Sequence, residues 1–208
     1  MDKKPLVSLE KKTAPLLQKK GRQAIPAGAA FDVILADPPW TFRTYSDKGG
    51  GRGPSYPTMT LDELQALPVG ELASPNAALF LWCCWPSIFR DVPALLQAWG
   101  FSYRACAFVW VKANRGGAGF FQGLGYYTRA NTEPCLLAVR GSMPVAARNV
   151  AQVIYSPRRR HSQKPAEQYD KIERLYPGRQ YLELFAREKR PGWASWGNEI
   201  DSDLVIAT

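Results

Sequence analysis

The stretch Phe31-Asp-Val-Ile-Leu-Ala-Asp37-Pro38-Pro39-Trp40 decides the fold of this chain. Val33 to Ala36 is a short apolar run with β-branched residues, and it stops abruptly at an acid and two prolines. A buried strand ends in this way at its C-terminus. In open α/β sheets ligands bind in the crevice beyond the carboxyl ends of the strands, which predicts that Asp37 to Trp40 stand at the mouth of a pocket.

The residue types say what such a pocket takes. Pro39 keeps Pro38 extended and has no N–H to offer a nearby carbonyl, so the Pro38 carbonyl is expected to point outward in a fixed direction. Beside it stand the Asp37 carboxylate and the indole of Trp40. Two acceptors and an aromatic plate suit a flat heterocycle bearing an NH2 group. Holding both amino hydrogens withdraws the nitrogen lone pair from the ring and makes it nucleophilic. The proton of the amine product can then pass to Asp37 or to water, so no strongly shifted general base is needed. Taken alone, the tetrapeptide equally suits a strand followed by a Pro-Pro turn with a half-buried tryptophan.

The chain has 208 residues, 46% hydrophobic and 22% charged, which suits one α/β domain with a substantial core. No apolar run approaches a membrane span and the N-terminus has no signal-peptide core, so a cytoplasmic location is expected. Cys83, Cys84, Cys106 and Cys135 lie in apolar, strand-like segments without CxxC spacing, and there is one histidine. Free core thiols and no metal are expected. Of the net charge of +9, residues 1–24 carry +5. They read as a basic arm ahead of a single domain over 25–208, attractive to a polyanion or serving solubility alone.

From Trp40 onward the segment to Pro57 is glycine-rich and reads as a loop over the pocket, ending in Tyr56-Pro-Thr-Met. It is not a phosphate-cradling loop, because no Gly-Lys-Ser/Thr follows. Thr60 and Glu63 form a capping box for a helix over 61–67. Further strands are expected at 77–84, 103–112, 132–140 and 150–155. A helix is expected from Pro86 to Trp99, closed by Gly100, with Ile88, Phe89, Val92, Leu95, Leu96 and Trp99 in the core. Pro165 is placed as the first residue of a helix running to Leu175. Arg158, Arg159 and Arg160 then lie beside a helix N-terminus, either contacting phosphate or simply solvated. His161 reads as a local hydrogen bonder. The closing segment, from Gln180 through Phe185 and Arg187 to Asn198-Glu199, suits a nucleoside, with an aromatic for the base and an amide and a carboxylate for the ribose. The alternation of strands and helices predicts a mainly parallel sheet with helices on its faces.

Together these pieces resemble the 70-kDa-subunit (MT-A) family of adenine N(6)-methyltransferases, in particular its small bacterial and phage-type members. The resemblance runs from about Phe31 to Asp201. It rests on Asp37-Pro-Pro-Trp40, Tyr56-Pro-Thr-Met, Trp110-Val-Lys112, Gly123-Leu-Gly-Tyr-Tyr-Thr-Arg129 with Glu133, Ser162-Gln-Lys164-Pro165, Glu183-Leu-Phe185-Ala-Arg187 and Trp196-Gly-Asn198-Glu199. It implies a Rossmann-like sheet in permuted order, with the catalytic Asp-Pro-Pro-Trp ahead of the main cofactor strand. It further implies that Asp37, Pro38, Pro39 and Trp40 hold the target adenine and that Asp37 approaches the methionine part of S-adenosylmethionine. Lys164, Phe185, Arg187, Asn198 and Glu199 would hold that cofactor. Tyr56 would gate the pocket, with Arg129, Glu133, Arg158, Arg159, Arg160 and Ser162 on the substrate side. Messenger-RNA-type members have a polar pair after the cofactor-strand arginine, where this chain has Glu188-Lys189. The expected substrate is adenine in nucleic acid, DNA in preference to RNA, acted on by a monomer or homodimer. The other readings are an inactive nucleic-acid-binding partner subunit, an RNA adenine methyltransferase, and an enzyme acting on a small amine or a protein glutamine.

Overall fold

The structure, a computed structural model, describes residues 30–41, 56–123, 127–159 and 163–206. The basic segment 1–24, the glycine cluster at 49–53, and Arg160, His161 and Ser162 lie outside the described residues. In chain order the elements are β1 (Phe31–Ala36), α1 (Leu61–Gln65), α2 (Val69–Leu72), β2 (Ala73–Trp82), α3 (Ser87–Arg90), α4 (Val92–Trp99), β3 (Ser102–Ala113), β4 (Thr132–Arg140), β5 (Val153–Pro157), α5 (Glu167–Leu175), β6 (Tyr181–Leu184) and β7 (Trp193–Trp196).

The seven strands form one sheet in the order β5-β3-β4-β2-β1-β6-β7. β4 is antiparallel to β2 and β3, and every other neighbouring pair is parallel. The expected Rossmann-like, mainly parallel sheet is therefore present, with one reversed strand. Among the described residues of 114–131, between β3 and β4, there is no helix to carry the chain back across the sheet, and β4 pairs as the return limb of a hairpin.

Strand alternation divides the core between the two faces of the sheet. Ile34 and Ala36 of β1, with Leu79 and Leu81 of β2, pack with Leu64 of α1, Leu72 of α2 and Leu95 and Trp99 of α4. Val33 and Leu35, with Phe80 and Trp82, pack with Tyr169 and Ile172 of α5. Both faces of β1 are thus covered by helices, which explains its unbroken apolar run. Because six strands are parallel, their carboxyl ends share one edge of the sheet, and β4 begins at that same edge. Asp37, Ala113, Glu133, Pro157, Phe185 and Gly197 are gathered there by topology alone.

The local signals hold in part. The Thr60–Glu63 capping box is formed, and Gly100 closes α4 in the left-handed conformation at φ 75°. The helix expected over 86–99 is instead two helices broken at Asp91. Pro93 has no N–H, and its ring would meet the carbonyl one turn earlier, so a continuous helix cannot form. The break resets the helical phase and turns Phe89 out to 91% exposure, which corrects its place in the core. Pro165 lies two residues ahead of α5 rather than inside it. β2 starts earlier than expected, at Ala73, and its register with β1 jumps across Pro75, which cannot donate to a ladder. Cys83 and Cys135 are buried, and burial pushes the thiols of Cys83, Cys106 and Cys135 up and away from reactivity. Among the described residues no helix is long and apolar enough to cross a membrane.

Candidate active site

β1 delivers Asp37 to the carboxyl edge, and a chain segment 127 residues later meets it there. Lys164 Nζ donates to both Asp37 oxygens at 2.7 Å and lies 3.3 Å from Glu133 Oε2. Lys112, near the end of β3, pairs with the other Glu133 oxygen. Two cations and two carboxylates therefore alternate along the edge from β3 to β1. The Asp37 side chain keeps 21% of its surface exposed, so it faces a cleft and is not turned into the core.

The charges tune one another. Burial pushes the Asp37 carboxyl up, Glu133 adds to this, and Lys164 only partly offsets it. For Glu133, burial alone would raise the value, but Lys164 and Lys112 together outweigh it and hold the group down at about 2. Burial would lower the Lys164 ammonium, yet its two carboxylate partners raise it above the ordinary lysine value. Glu133 is thus a fixed anion and Lys164 a fixed cation. Asp37 is the carboxylate of the set with the strongest pull on a hydrogen.

Two expectations for the motif need correction. The Pro38 carbonyl does have a local partner, since the Trp40 N–H reaches back to it at 2.8 Å. One lone pair fixes the turn, which leaves one for a second donor, and Pro38 itself is buried. Trp40 is not an exposed plate: it is 8% exposed, packs in the core and donates its indole N–H to the Trp82 carbonyl at 3.0 Å. It pins the loop after β1 to the end of β2. A cavity of about 240 Å³ does lie against Trp40, Thr41, Met59 and Arg90, but Asp37, Lys164 and Phe185 do not line it.

On the other side of Asp37 a cleft is lined by Trp82, Gln163, Lys164, Gln168, Tyr169, Glu183, Phe185, Arg187 and Glu188. Its enclosed volume is about 20 Å³, room for one water, so a larger ligand rests in its mouth. Phe185, directly after β6, sits at φ 62°, a conformation that costs a bulky residue on the order of 1–3 kcal/mol. Its ring is held edge-on against Trp196 at 5.4 Å. The turns after β6 and β7 are locked together by the Ala186 N–H on the Trp196 carbonyl. A Cβ on Gly197 would stand 2.1 Å from the Ala186 carbonyl oxygen, so only glycine allows this approach. The lock aligns Arg187 with Glu199, 3.4 Å apart, and Arg187 lies 5.2 Å from the Tyr56 ring. Asn198 is exposed at the same turn.

The structure therefore brings together Asp37, Lys164 and Glu133 in one group and Tyr56, Phe185, Arg187 and Glu199 in another. Arg129 is exposed on the β3–β4 connection. Arg158 stacks on Phe121 at 3.5 Å, and Arg159 pairs with Glu188 at 3.2 Å. Lys189 pairs with Asp203, so the Glu188-Lys189 dipeptide is turned to neighbours on both sides.

Sequence reasoning gave no role to Lys112, Tyr169 or Glu183. For Lys112 and Glu183 the available signal was a charged residue inside an otherwise apolar strand. Glu183 is 8% exposed and accepts from the Tyr169 hydroxyl at 3.0–3.1 Å. Burial raises it from 4.5 to about 7, against the Tyr169 bond and with further help from Asp37 and Glu188. A raised folded-state value means that the folded chain holds this proton more tightly than the unfolded one. Its stabilisation is present in full below about 4.5 and is lost as pH rises to about 7. Relative to the parent, Glu183→Gln should gain about 3 kcal/mol between pH 4.5 and pH 8. Denaturant unfolding of both proteins across that range checks it, and parallel pH profiles would refute it.

Residues 31–199 match the MT-A70 family. The chain is 34% identical over 198 residues to the Type II methyltransferase M.MunI of Mycoplasma sp, an alignment covering 86% of this chain and 82% of that one. It is 33% identical over 180 residues to the probable N(6)-adenosine-methyltransferase MT-A70-like of Oryza sativa subsp. japonica. It is 32% identical over 175 residues to the N(6)-adenosine-methyltransferase catalytic subunit METTL3 of Homo sapiens. These two alignments cover 85% and 82% of this chain, which spans only 24% and 28% of those relatives. With the match running from the first strand to the last polar turn, the chain belongs to the MT-A70 family of methyltransferases.

Proposed function

We propose that the protein transfers the methyl group of S-adenosylmethionine to the 6-amino nitrogen of adenine in nucleic acid. The observation that carries this reading is the Asp37 carboxylate, held by Lys164 at the mouth of a cleft whose other wall bears Phe185 and Arg187. The lining suits a zwitterionic nucleoside. Asp37 complements an ammonium, Arg187 a carboxylate and Phe185 an aromatic face, and Asn198 and Glu199 can hold ribose hydroxyls. When bound, S-adenosylmethionine supplies a methyl group on a positively charged sulfur.

The chain's own residues do the rest. Asp37 and the free lone pair of the Pro38 carbonyl accept the two amino hydrogens and free the nitrogen lone pair. Lys164 favours the anionic form of Asp37 and aims it, and Glu133 keeps Lys164 in place. Positioning of this kind replaces a strong base, and Asp37 or water takes the proton after transfer. The target base must leave any duplex stack to reach Asp37. We place the enzyme in the cytoplasm, with residues 1–24 as a basic arm that adds attraction for phosphate.

DNA is the favoured substrate, because the relative matched along most of both lengths is a type II methyltransferase. Incubating the protein with S-adenosylmethionine and either DNA or RNA, then digesting to nucleosides, should yield N(6)-methyl-2′-deoxyadenosine in the DNA arm by mass spectrometry. Product only in the RNA arm reverses the substrate choice, and none in either removes the catalytic reading.

A further inference from the structure

The β3–β4 connection opens with a glycine-rich segment whose backbone is tied to its neighbours. The Asn114 N–H donates to the Gly119 carbonyl at 3.1 Å, and the Phe121 N–H donates to Lys112 at 2.8 Å. Phe120 is bridged to Ala113, so it is held alongside the end of β3. Tyr155 of β5 donates its hydroxyl to the Gly117 and Gly119 carbonyls and meets Phe120 edge-on, with centroids 5.8 Å apart. Both rings are nonetheless exposed, Phe120 at 60% and Tyr155 at 49%. Next to them Arg158 lies over Phe121, and Arg115 is exposed. Neither 114–123 nor 150–158 contains an acidic residue.

We infer that Phe120 and Tyr155 form a stacking platform for an unpaired base on the strand that carries the target adenine. This rests on the nucleic-acid methyltransferase reading. Anchored, solvent-facing aromatics beside guanidinium groups match what a single strand offers, a π-face on each base and a phosphate between bases. A protein partner would find no acid here to answer its own cations, and the chain's charge of +9 favours a polyanion. The platform stands on the same sheet edge as Asp37 and connects to it through Phe121, Lys112, Glu133 and Lys164. Four strand spacings separate β1 from β5, roughly 19 Å. Stacked nucleotides advance about 3.4 Å each, so the platform takes a base several positions from the adenine. A duplex covers both faces of such a base, which commits the platform to single strands.

The test uses the full chain, a radiolabelled methyl donor and a single-stranded oligonucleotide with one central adenine and flanks long enough to reach the platform. Phe120→Ala should raise KM for this strand about tenfold with kcat unchanged, and Phe120→Trp should restore the parent value. Neither change should affect the same strand trimmed to the adenine and its immediate neighbours, or the long strand paired with its complement. An unchanged KM on the long strand overturns the proposal, and so does an equal rise on the trimmed or duplex substrate. If the parent transfers no methyl to any of them, the proposed function itself has failed. Fluorescence anisotropy with the long strand then decides the platform: about tenfold weaker binding by Phe120→Ala supports it, and equal binding overturns it.

Discussion

Asp37→Ala is expected to lower methyl transfer about a thousandfold while leaving nucleic-acid binding within a factor of two. In the proposed mechanism the carboxylate is the acceptor that holds one amino hydrogen of the target and can take the proton afterwards, so its loss falls on the chemical step. Asp37→Asn should fall almost as far, because an amide keeps the shape but presents one acceptor in place of two and no charge. The fold should survive both changes, since Lys164 retains Glu133 at 3.3 Å. Single-turnover transfer of a labelled methyl group, run beside thermal unfolding, checks the prediction. Full activity in either variant would remove Asp37 from the mechanism. A loss confined to KM for the methyl donor would make it a cofactor ligand only.

The parts of this architecture legible in the sequence are those set by nearest neighbours. The β1 run ends in Asp37-Pro-Pro because both faces of β1 are buried and prolines cannot continue a ladder. β4 was legible over its full length, Thr132 to Arg140, as an apolar run bounded by polar turns. The Thr60–Glu63 box needs only four residues to specify it. The misplacement of Phe89 shows the limit of periodicity, because Pro93 changes the phase between two helices that share one hydrophobic pattern. Trp40 shows another limit: a tryptophan beside a pocket looks like a stacking surface until the Trp82 carbonyl claims its N–H.

The charge chain was the least legible feature. Asp37, Lys112, Glu133 and Lys164 meet because six parallel strand ends and one antiparallel start share an edge, and no local pattern announces that. Motif resemblance did pick out Asp37, Glu133 and Lys164 as site residues, but assigned them separately to base, substrate loop and cofactor. Their mutual contacts put Lys164 where it opposes protonation of Asp37 and fixes the direction of its oxygens.

Lys164→Met puts that assignment to its hardest test. Methionine fills much of the same volume without charge, so Asp37 loses the ammonium that holds both of its oxygens while Glu133 keeps Lys112. Stripping the partner from a buried carboxylate costs about 3 kcal/mol or more, and both carboxylates here are mostly buried, which places the expected loss near the lower end. The loss has a defined pH dependence. With Lys164 gone, burial acts on Asp37 without its main opposition, so the folded-state value rises further above the ordinary carboxylate range. A raised carboxyl favours the folded chain at low pH, hence the deficit should be largest above neutrality and shrink as Asp37 takes up a proton. Methyl transfer should fall at least a hundredfold, because at low pH a protonated Asp37 donates where it must accept and at high pH the carboxylate has lost the ammonium that aims it. Lys164→Arg should recover most of the stability but little of the activity, since a bulkier planar guanidinium spreads its charge and fixes its donors in one plane, and so re-aims the Asp37 oxygens that a compact ammonium holds. Urea unfolding at pH 5 and pH 8, paired with transfer rates for both variants, separates these effects. A pH-independent deficit, or an active methionine variant, would show that Lys164 does not govern Asp37.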